Sequence, residues 1–357
     1  AWIAFISGRA REAERWARAS AALFSELGDS GGFAWATGLL AFVLFHLGDS
    51  AQALRLGRRI LNDAQERGDQ WGEGMMRMLL ASIALFSHGD ARAAVDHAQH
   101  AIRRFGATTD SDASAQASGT LGRAQLAMGE VSTAFETLDP DRVARGLPTD
   151  MIVTCRLAAA AHIGDPVLVA DLVRAETADQ LDTASLGDRD RLVAVGLLLA
   201  QSGRVDEARR TLRHALEATD DDTSPYAMAA AALCAAAAGD GESCRRFAVA
   251  VADEVRSTYL DRTIAHLALM LSAAAGGEAV VVTERYELAL AEVDDVEDRP
   301  AQALVRLLGG KALAAVGSDR GQAVSEDAET RLTWLGIGMP GWNVVAAAAL
   351  GPTDQLG

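Results

Sequence analysis

Two histidines lie three residues apart in the stretch "VDHAQHAI", at His97 and His100. Residues at this spacing share one face of a helix, so the two imidazoles could bind the same metal ion. Metal sites need three or four ligands, and neither an HExxH motif nor a third ligand accompanies this pair. The pattern favours exposed histidines on a helix, and we expect no metal ion and no other cofactor.

A second candidate for chemistry is Ser30, in the string "GDSGG", which surrounds the nucleophilic serine of chymotrypsin-like proteases. In that family the order along the chain is His, Asp, Ser, whereas the "AAAH" ending at His162 follows Ser30. No alternating strand pattern is present either. The stretch from Leu27 aligns with "RGDQWGEG" from Arg67, where Gln70 replaces the serine. The repeated Gly-Asp pair therefore predicts a helix end followed by a helix cap.

Acidic clusters occur in "TTDSDAS", "EATDDDTSP" and "EVDDVEDRP", which begin at Thr108, Glu217 and Glu292. A calcium-binding EF-hand loop starting at Asp110 would need Gly and Glu where Ala115 and Leu121 stand. We expect solvated loops and helix caps at all three clusters. Because P-loop, GxGxxG and GxSxG motifs are also absent, the sequence favours a protein that is not an enzyme.

Composition excludes several classes of partner. The net charge of the 357 residues is −16, so the chain should repel nucleic acid and anionic membranes.

Three dispersed cysteines without a CxxC pair indicate reduced thiols in the cytoplasm. No signal peptide or bilayer-long apolar run is visible. The chain begins without Met in what reads as the end of a helix, so we expect a piece of a longer protein.

The elements that would position any site are revealed by an internal repeat. An apolar helix is followed by Gly, then by a charged or small residue, and five places later by Ala. Clear copies have their glycines at Gly8, Gly48, Gly89, Gly129 and Gly203, and weaker copies at Gly164, Gly239, Gly276 or Gly277, and Gly317. The spacing of roughly 35 to 41 residues is typical of helical hairpins. Small residues at fixed offsets predict closely packed antiparallel helices.

The turn glycines, the alanines five places later and the small residues at fixed offsets resemble the pattern of the tetratricopeptide repeat. The resemblance extends from Gly8 to about Gly336. The resemblance implies an all-α fold, a right-handed superhelix of about eight to nine antiparallel helix hairpins. We expect the array to span residues 1–336, with a possible kink at 139–149, and a C-terminal cap helix and tail to span 337–357.

In such a superhelix the first helix of each hairpin lines a concave groove that binds ligands. Carrying the groove positions of the family over by their offset from each turn glycine predicts a set of binding residues. They are Trp35, His46, Met76, Arg123, Thr154, His162, Gln201, Tyr226, His266 and Lys311. The same offsets could instead place some of these residues in the core. For Trp35 and Trp71, packing between repeats is favoured over a binding wall.

The stretch Glu66–Gly106, with its "GD.WG" opening and "GD..AA" turn, is similar to repeats in the C-terminal halves of large bacterial signal-transducing regulators. In that family a STAND-type ATPase is joined to a DNA-binding domain of LuxR or antibiotic-regulatory type. The resemblance implies a transcriptional regulator whose helical arm senses a small-molecule inducer or a partner protein, with ATPase and DNA-binding modules elsewhere in the full-length chain. The alternative is a plain scaffold that binds peptide segments in its groove.

Overall fold

The structure, a computed structural model, describes residues 1–108, 110–139, 150–176, 186–217, 224–338 and 340–351. These residues form helices joined by short turns, with no strand among them. None of the described helices is both long and apolar enough to cross a membrane. Most of the predicted kink, residues 140–149, and the acidic trio Asp220–Asp222 lie outside the described residues.

The described helices alternate between first and second members of antiparallel hairpins. The first helices are α1 (Trp2–Ile6), α3 (Ser30–His46), α5 (Gln70–Ser82), α7 (Ser111–Ala127), α9 (Asp150–Ile163), α11 (Leu186–Gln201), α13 (Pro225–Ala237), α15 (Tyr259–Ala275), α17 (Arg299–Ala315) and α19 (Pro340–Leu350). The second helices are α2 (Ala10–Glu26), α4 (Ser50–Arg67), α6 (Ala91–Thr108), α8 (Val131–Thr137), α10 (Pro166–Ala175), α12 (Val205–Glu217), α14 (Gly241–Asp253), α16 (Ala279–Val293) and α18 (Arg320–Trp334). The all-α helical-repeat prediction is confirmed.

The turn glycines of the repeat take the left-handed conformation that ends each first helix. Their φ angles run from 64° at Gly89 to 86° at Gly48. Of the two candidates in the weaker eighth copy, Gly277 has the positive φ angle. The alanines five places after the clear turn glycines are fully buried, which lets the paired helices approach closely.

The Gly-Asp pairs cap helices as the sequence predicts. The Asp29 side chain accepts a hydrogen bond from the Gly32 backbone N–H at 2.9 Å, and Asp69 accepts one from Gly72 at 2.8 Å. Ser30 is the first residue of α3 and is exposed. The "GDSGG" string is therefore a helix start.

The array winds tightly enough that early hairpin turns touch loops about five hairpins further along the chain. The Glu297 N–H donates to the Gly89 carbonyl at 2.8 Å, and the Glu297 carboxylate accepts from the Arg92 N–H at 3.0 Å. A Cβ atom on Gly48 would lie 3.0 Å from the Val255 carbonyl oxygen. We call this line of contacts the seam. The helices α1 to α9 form the first superhelical turn, and the helices α13 to α18 form the second, which the seam joins to the first.

The interior of the superhelix is largely filled by its own side chains. Helix α19 leaves the path of the array and packs against the first helices α11, α13, α15 and α17. Trp342, Val345, Ala346 and Ala349 of α19 are buried in the main hydrophobic core. A second core cluster joins α7, α8 and α9 of the first turn to α17 and α18 of the second.

Candidate functional site

A buried polar cluster lies where the two superhelical turns face each other. Asp298 caps α17, its Oδ1 accepting from the Ala301 N–H at 2.9 Å. Its Oδ2 accepts the hydroxyl of Tyr259 at 2.9 Å and lies 4.0 Å from the Arg123 guanidinium of α7. The Asp298 side chain is only 3% exposed, so its charge is balanced inside the protein. One carboxylate therefore connects three first helices from both turns.

The neighbours of this junction hold fixed protonation states. Burial tends to lower the pKa of Arg123, but Asp298 and other nearby groups leave it raised, so the guanidinium stays charged. Burial, reinforced by the Asp298 charge, raises the pKa of Tyr259, which remains a hydroxyl donor. Burial lowers the pKa of His162, and the Nδ1–H of its neutral ring donates to the Ala158 carbonyl at 2.8 Å. Beside the pair of Arg123 and Asp298, the carboxylates of Asp190 and Asp261 also act on the tyrosines of the cluster.

Two further side chains border the cluster, the buried Cys155 and the half-buried Tyr226. Burial raises the pKa of the Cys155 thiol to about 12, so the sulfur is a poor nucleophile at neutral pH. Burial, reinforced by the Asp190 charge, also raises the pKa of Tyr226, and Arg123 opposes the shift. Three residues of the predicted groove set, Arg123, His162 and Tyr226, therefore lie around one junction.

Beside the cluster, a cavity of about 610 Å³ opens at the seam. One wall is formed by the turn from Phe45 to Leu54 and by Phe86–His88 of the first superhelical turn. The facing wall is formed by Ser224, Pro225 and residues 255–259 of the second turn, with Arg262. Tyr259 borders both this space and the polar cluster. We call this space the seam cavity.

A local irregularity shapes one wall of the seam cavity. Helix α5 continues into a five-residue π-helix, Ile83–Ser87, before the turn at Gly89. Single π-turns of this kind occur often at functional sites because they change the direction in which side chains point. Here the π-turn contributes Phe86 and Ser87, and the Ser87 hydroxyl lies 2.7 Å from that of Ser50.

The predicted residue His46 also lines the seam cavity, and its ring meets Phe5 edge-on with centroids 5.8 Å apart. Trp35 and Met76 line a separate cavity of about 390 Å³ between α3 and α5, which we call the tryptophan cavity. Trp35 is half exposed at its rim, whereas the Trp71 indole donates to Asp110 at 2.9 Å.

The remaining predicted residues do not converge on one cavity. Gln201 is buried beneath α19, since a Cβ atom on Gly341 would lie 2.7 Å from the Cβ atom of Gln201. Lys311 lies 3.6 Å from Glu329 of the neighbouring helix. Thr154 Oγ1 and His266 Nδ1 are buried without a hydrogen-bond partner among the described residues.

The histidine pair considered for metal binding is engaged in other ways. His97 lies 3.4 Å from the Arg77 guanidinium, and burial together with that cation lowers its pKa. His100 Nδ1 lies 2.8 Å from the Asp96 carbonyl oxygen. No group of three or more metal-ligating side chains occurs in the described part of the chain.

Sequence reasoning missed the residue at the centre of the cluster. It assigned Asp298 to a solvated acidic loop and cap; the cap is confirmed, but the side chain is buried. The Asp-Arg-Pro start of α17 signals the cap, because proline suits the first turn of a helix. No local signal could reveal Arg123 as its partner, since that residue lies on the other superhelical turn.

Comparisons with known proteins agree with the architecture. No protein-family model matches the chain, and no curated protein matches it. Among solved structures, a Rap protein complexed with Competence and Sporulation Factor is similar, with a TM-score of 0.55 and 13% sequence identity. The similarity covers 84% of this chain and 87% of that chain. At this identity the likeness shows the fold, a tetratricopeptide-like helical repeat.

Proposed function

We propose that this helical array is a non-catalytic binding module that holds a peptide segment of a partner in the seam cavity. The observation that carries the proposal is the cavity itself, about 610 Å³ between two superhelical turns. Its size lies in the range of pockets that bind ligands in proteins. The similar Rap structure, solved as a complex with a factor, supports a binding role for this fold.

The walls of the seam cavity suit a peptide. The paired hydroxyls of Ser50 and Ser87 can donate to or accept from a peptide backbone, whereas those of Ser257 and Thr258 already bond to Val251 and Asp261. Phe45, Phe86 and Tyr259 offer rigid apolar surface for side chains. Arg256 and Arg262 are each held by a carboxylate, from Glu254 and Glu292, so the described lining offers no strong net charge. We infer an extended segment bound through hydrogen bonds and aromatic contacts.

Because the walls belong to both superhelical turns, an occupant would contact both at once. Such a ligand binds best when the seam is closed, and so it shifts the population toward the closed form. Binding would thereby change the spacing between parts of the array that are far apart in sequence. This coupling is how a scaffold of this kind could report the presence of its partner.

A peptide-display selection with a random library tests the proposal. We expect the library to yield peptides that bind the wild-type chain. The same peptides should bind the Ala51→Trp variant at least about tenfold more weakly, a difference of about 1.4 kcal/mol. Ala51 is exposed and lines the cavity, so the indole would occupy the peptide's space. The matched control is Ala22→Trp on the exposed face of α2. No enrichment, or equal binding to both variants, would refute the seam cavity as the peptide site.

A narrower role is part of the proposal, as the sensor arm of a bacterial signal-transducing regulator. The sensor-arm role is supported by the "GD.WG" and "GD..AA" motifs of Glu66–Gly106. A cytoplasmic location is supported by three buried free thiols. The gene sequence upstream of the codon for residue 1 tests the sensor-arm role. We expect it to encode a P-loop ATPase. An intact gene product without such a module would leave the scaffold as the function.

A further inference from the structure

We propose that the tryptophan cavity is a second binding site, which takes a small neutral aromatic molecule. The cavity holds about 390 Å³ between α3 and α5, a volume in the range of small-molecule sites. It shares no lining residue with the seam cavity. This inference is therefore independent of the proposed peptide site.

The aromatic content of the walls is far above that of the chain. Aromatic residues make up 5% of the sequence, yet three of its six tryptophans line this one space, together with Phe42. Trp2 and Trp35 remain 44% and 50% exposed at the rim. Exposed apolar side chains that gather around one cavity, unlike singly scattered ones, are typical of ligand-binding grooves. Flat indole faces favour an aromatic ligand, which can stack between them.

The interior of the cavity is prepared by the residues around it. The hydrogen bond from Trp71 to Asp110 fixes one indole wall. On α3, the small residues Gly31, Ala34 and Gly38 leave the space open. Met75 and Met76 close the opposite side with flexible thioether chains that adapt to a ligand's outline. The site combines a rigid aromatic wall with an adjustable floor.

The charges of the lining decide the class of ligand. Its two charged residues, Arg67 and Asp69, lie 3.8 Å from each other, and Arg67 also pairs with Asp63 at 2.7 Å. These charges are compensated before any ligand arrives. An ionic ligand would lose its hydration without gaining an unpaired counter-charge, so a neutral molecule is favoured.

Two probes that differ by one charge test this assignment on the full chain. N-phenyl-1-naphthylamine is neutral, and 8-anilinonaphthalene-1-sulfonate has the same rings with a sulfonate. We expect the neutral probe to saturate one site and quench tryptophan emission, and the sulfonate to bind at least about tenfold more weakly, or about 1.4 kcal/mol.

Substitutions locate the probe. Trp35→Ala should weaken its binding roughly tenfold, whereas Trp334→Ala, at a tryptophan 80% exposed on α18, should leave it within about twofold. Gly31→Leu, at an exposed helical position on the rim, should block the site without removing an aromatic residue. Circular dichroism confirms that each variant is folded.

Binding without saturation, equal affinity for both probes, or equal effects of the Trp35 and Trp334 substitutions would each overturn the proposal. If Trp35→Ala fails to fold, Gly31→Leu alone decides. Peptide binding at the seam cavity should be unchanged by Gly31→Leu, so failure of one site is distinguishable from failure of the other.

Discussion

Asp298 connects the two superhelical turns through its charge, because its hydrogen-bond partners Tyr259 and Ala301 lie on the second turn and Arg123 lies on the first. Asp298→Asn keeps one oxygen as the acceptor for the helix cap. It replaces the oxygen that faces Tyr259 and Arg123 with an amide N–H2, so the Arg123 charge loses its carboxylate. Removing one partner of a buried ion pair leaves the other charge buried without a counter-charge. We therefore expect the free energy of unfolding to fall by about 3 kcal/mol. Urea denaturation measures it.

Asp69→Asn is the matched control, since Asp69 also caps a first helix but is not buried. An amide caps nearly as well as a carboxylate, so this change should cost less than about 0.5 kcal/mol. Equal losses for the two variants would show that the pair between Arg123 and Asp298 contributes little.

The neutral ring of His162 predicts a pH dependence. Its pKa in the folded protein is lowered, chiefly by burial and also by Arg123, although Asp298 and the bond to Ala158 oppose the shift. In the unfolded chain the ring takes up a proton near the usual pKa of about 6.5. Stability from this site is therefore complete above that pH and is lost as the pH falls toward the folded-state pKa.

His162→Gln removes the titration while keeping an amide donor for the Ala158 carbonyl. Between pH 7.5 and 5.5, urea denaturation should show the wild-type chain losing stability faster than this variant. The carboxylates titrate in both proteins, so their contribution cancels in the comparison. Parallel stability curves over that range would contradict a neutral buried imidazole.

At the scale of elements, two glycines with similar backbone angles differ in their contacts: Gly89 lies at the seam and Gly68 does not. Gly89 and Gly68 have φ angles of 64° and 68°, so alanine at either position should cost roughly 1–2 kcal/mol in backbone strain. A Cβ atom on Gly89 would also collide with Val296 across the seam, whereas one on Gly68 would meet nothing within 4 Å. We expect Gly89→Ala to cost roughly 1–3 kcal/mol more, as overpacking does.

Denaturant unfolding measures both variants, and small-angle scattering adds a second readout. If the seam holds the superhelix closed, Gly89→Ala should raise the radius of gyration and Gly68→Ala should not. Equal stability losses and equal radii would show that the seam contacts are incidental to the fold.

These glycines also show which parts of the structure a sequence can predict. The left-handed turn at Gly89 follows from local chemistry, because a helix end, a glycine and a cap are read within a few residues. The collision with Val296 depends on the pitch of the whole superhelix. For the same reason, the offsets from each turn glycine place Gln201 on a first helix but could not foresee that α19 covers it.

At the scale of the whole molecule, the seam changes how the array should unfold. In an open solenoid each repeat contacts only its neighbours, so distant repeats lose structure independently. Here the reciprocal hydrogen bonds between Arg92, Gly89 and Glu297 join elements 205 residues apart. We expect α6 and α17 to open together, with similar hydrogen-exchange protection, because these bonds join the turn that opens α6 to the loop that precedes α17.

Hydrogen exchange followed by mass spectrometry tests this coupling with Glu297→Ala, which removes the carboxylate partner of Arg92. We expect amide protection to fall in both α6 and α17, although only the loop before α17 carries the substitution. Glu284→Ala, on the exposed face of α16, is the control and should leave both helices protected. Lost protection confined to residues near position 297 would mean that the two superhelical turns are independent, and the seam could not relay binding from one to the other.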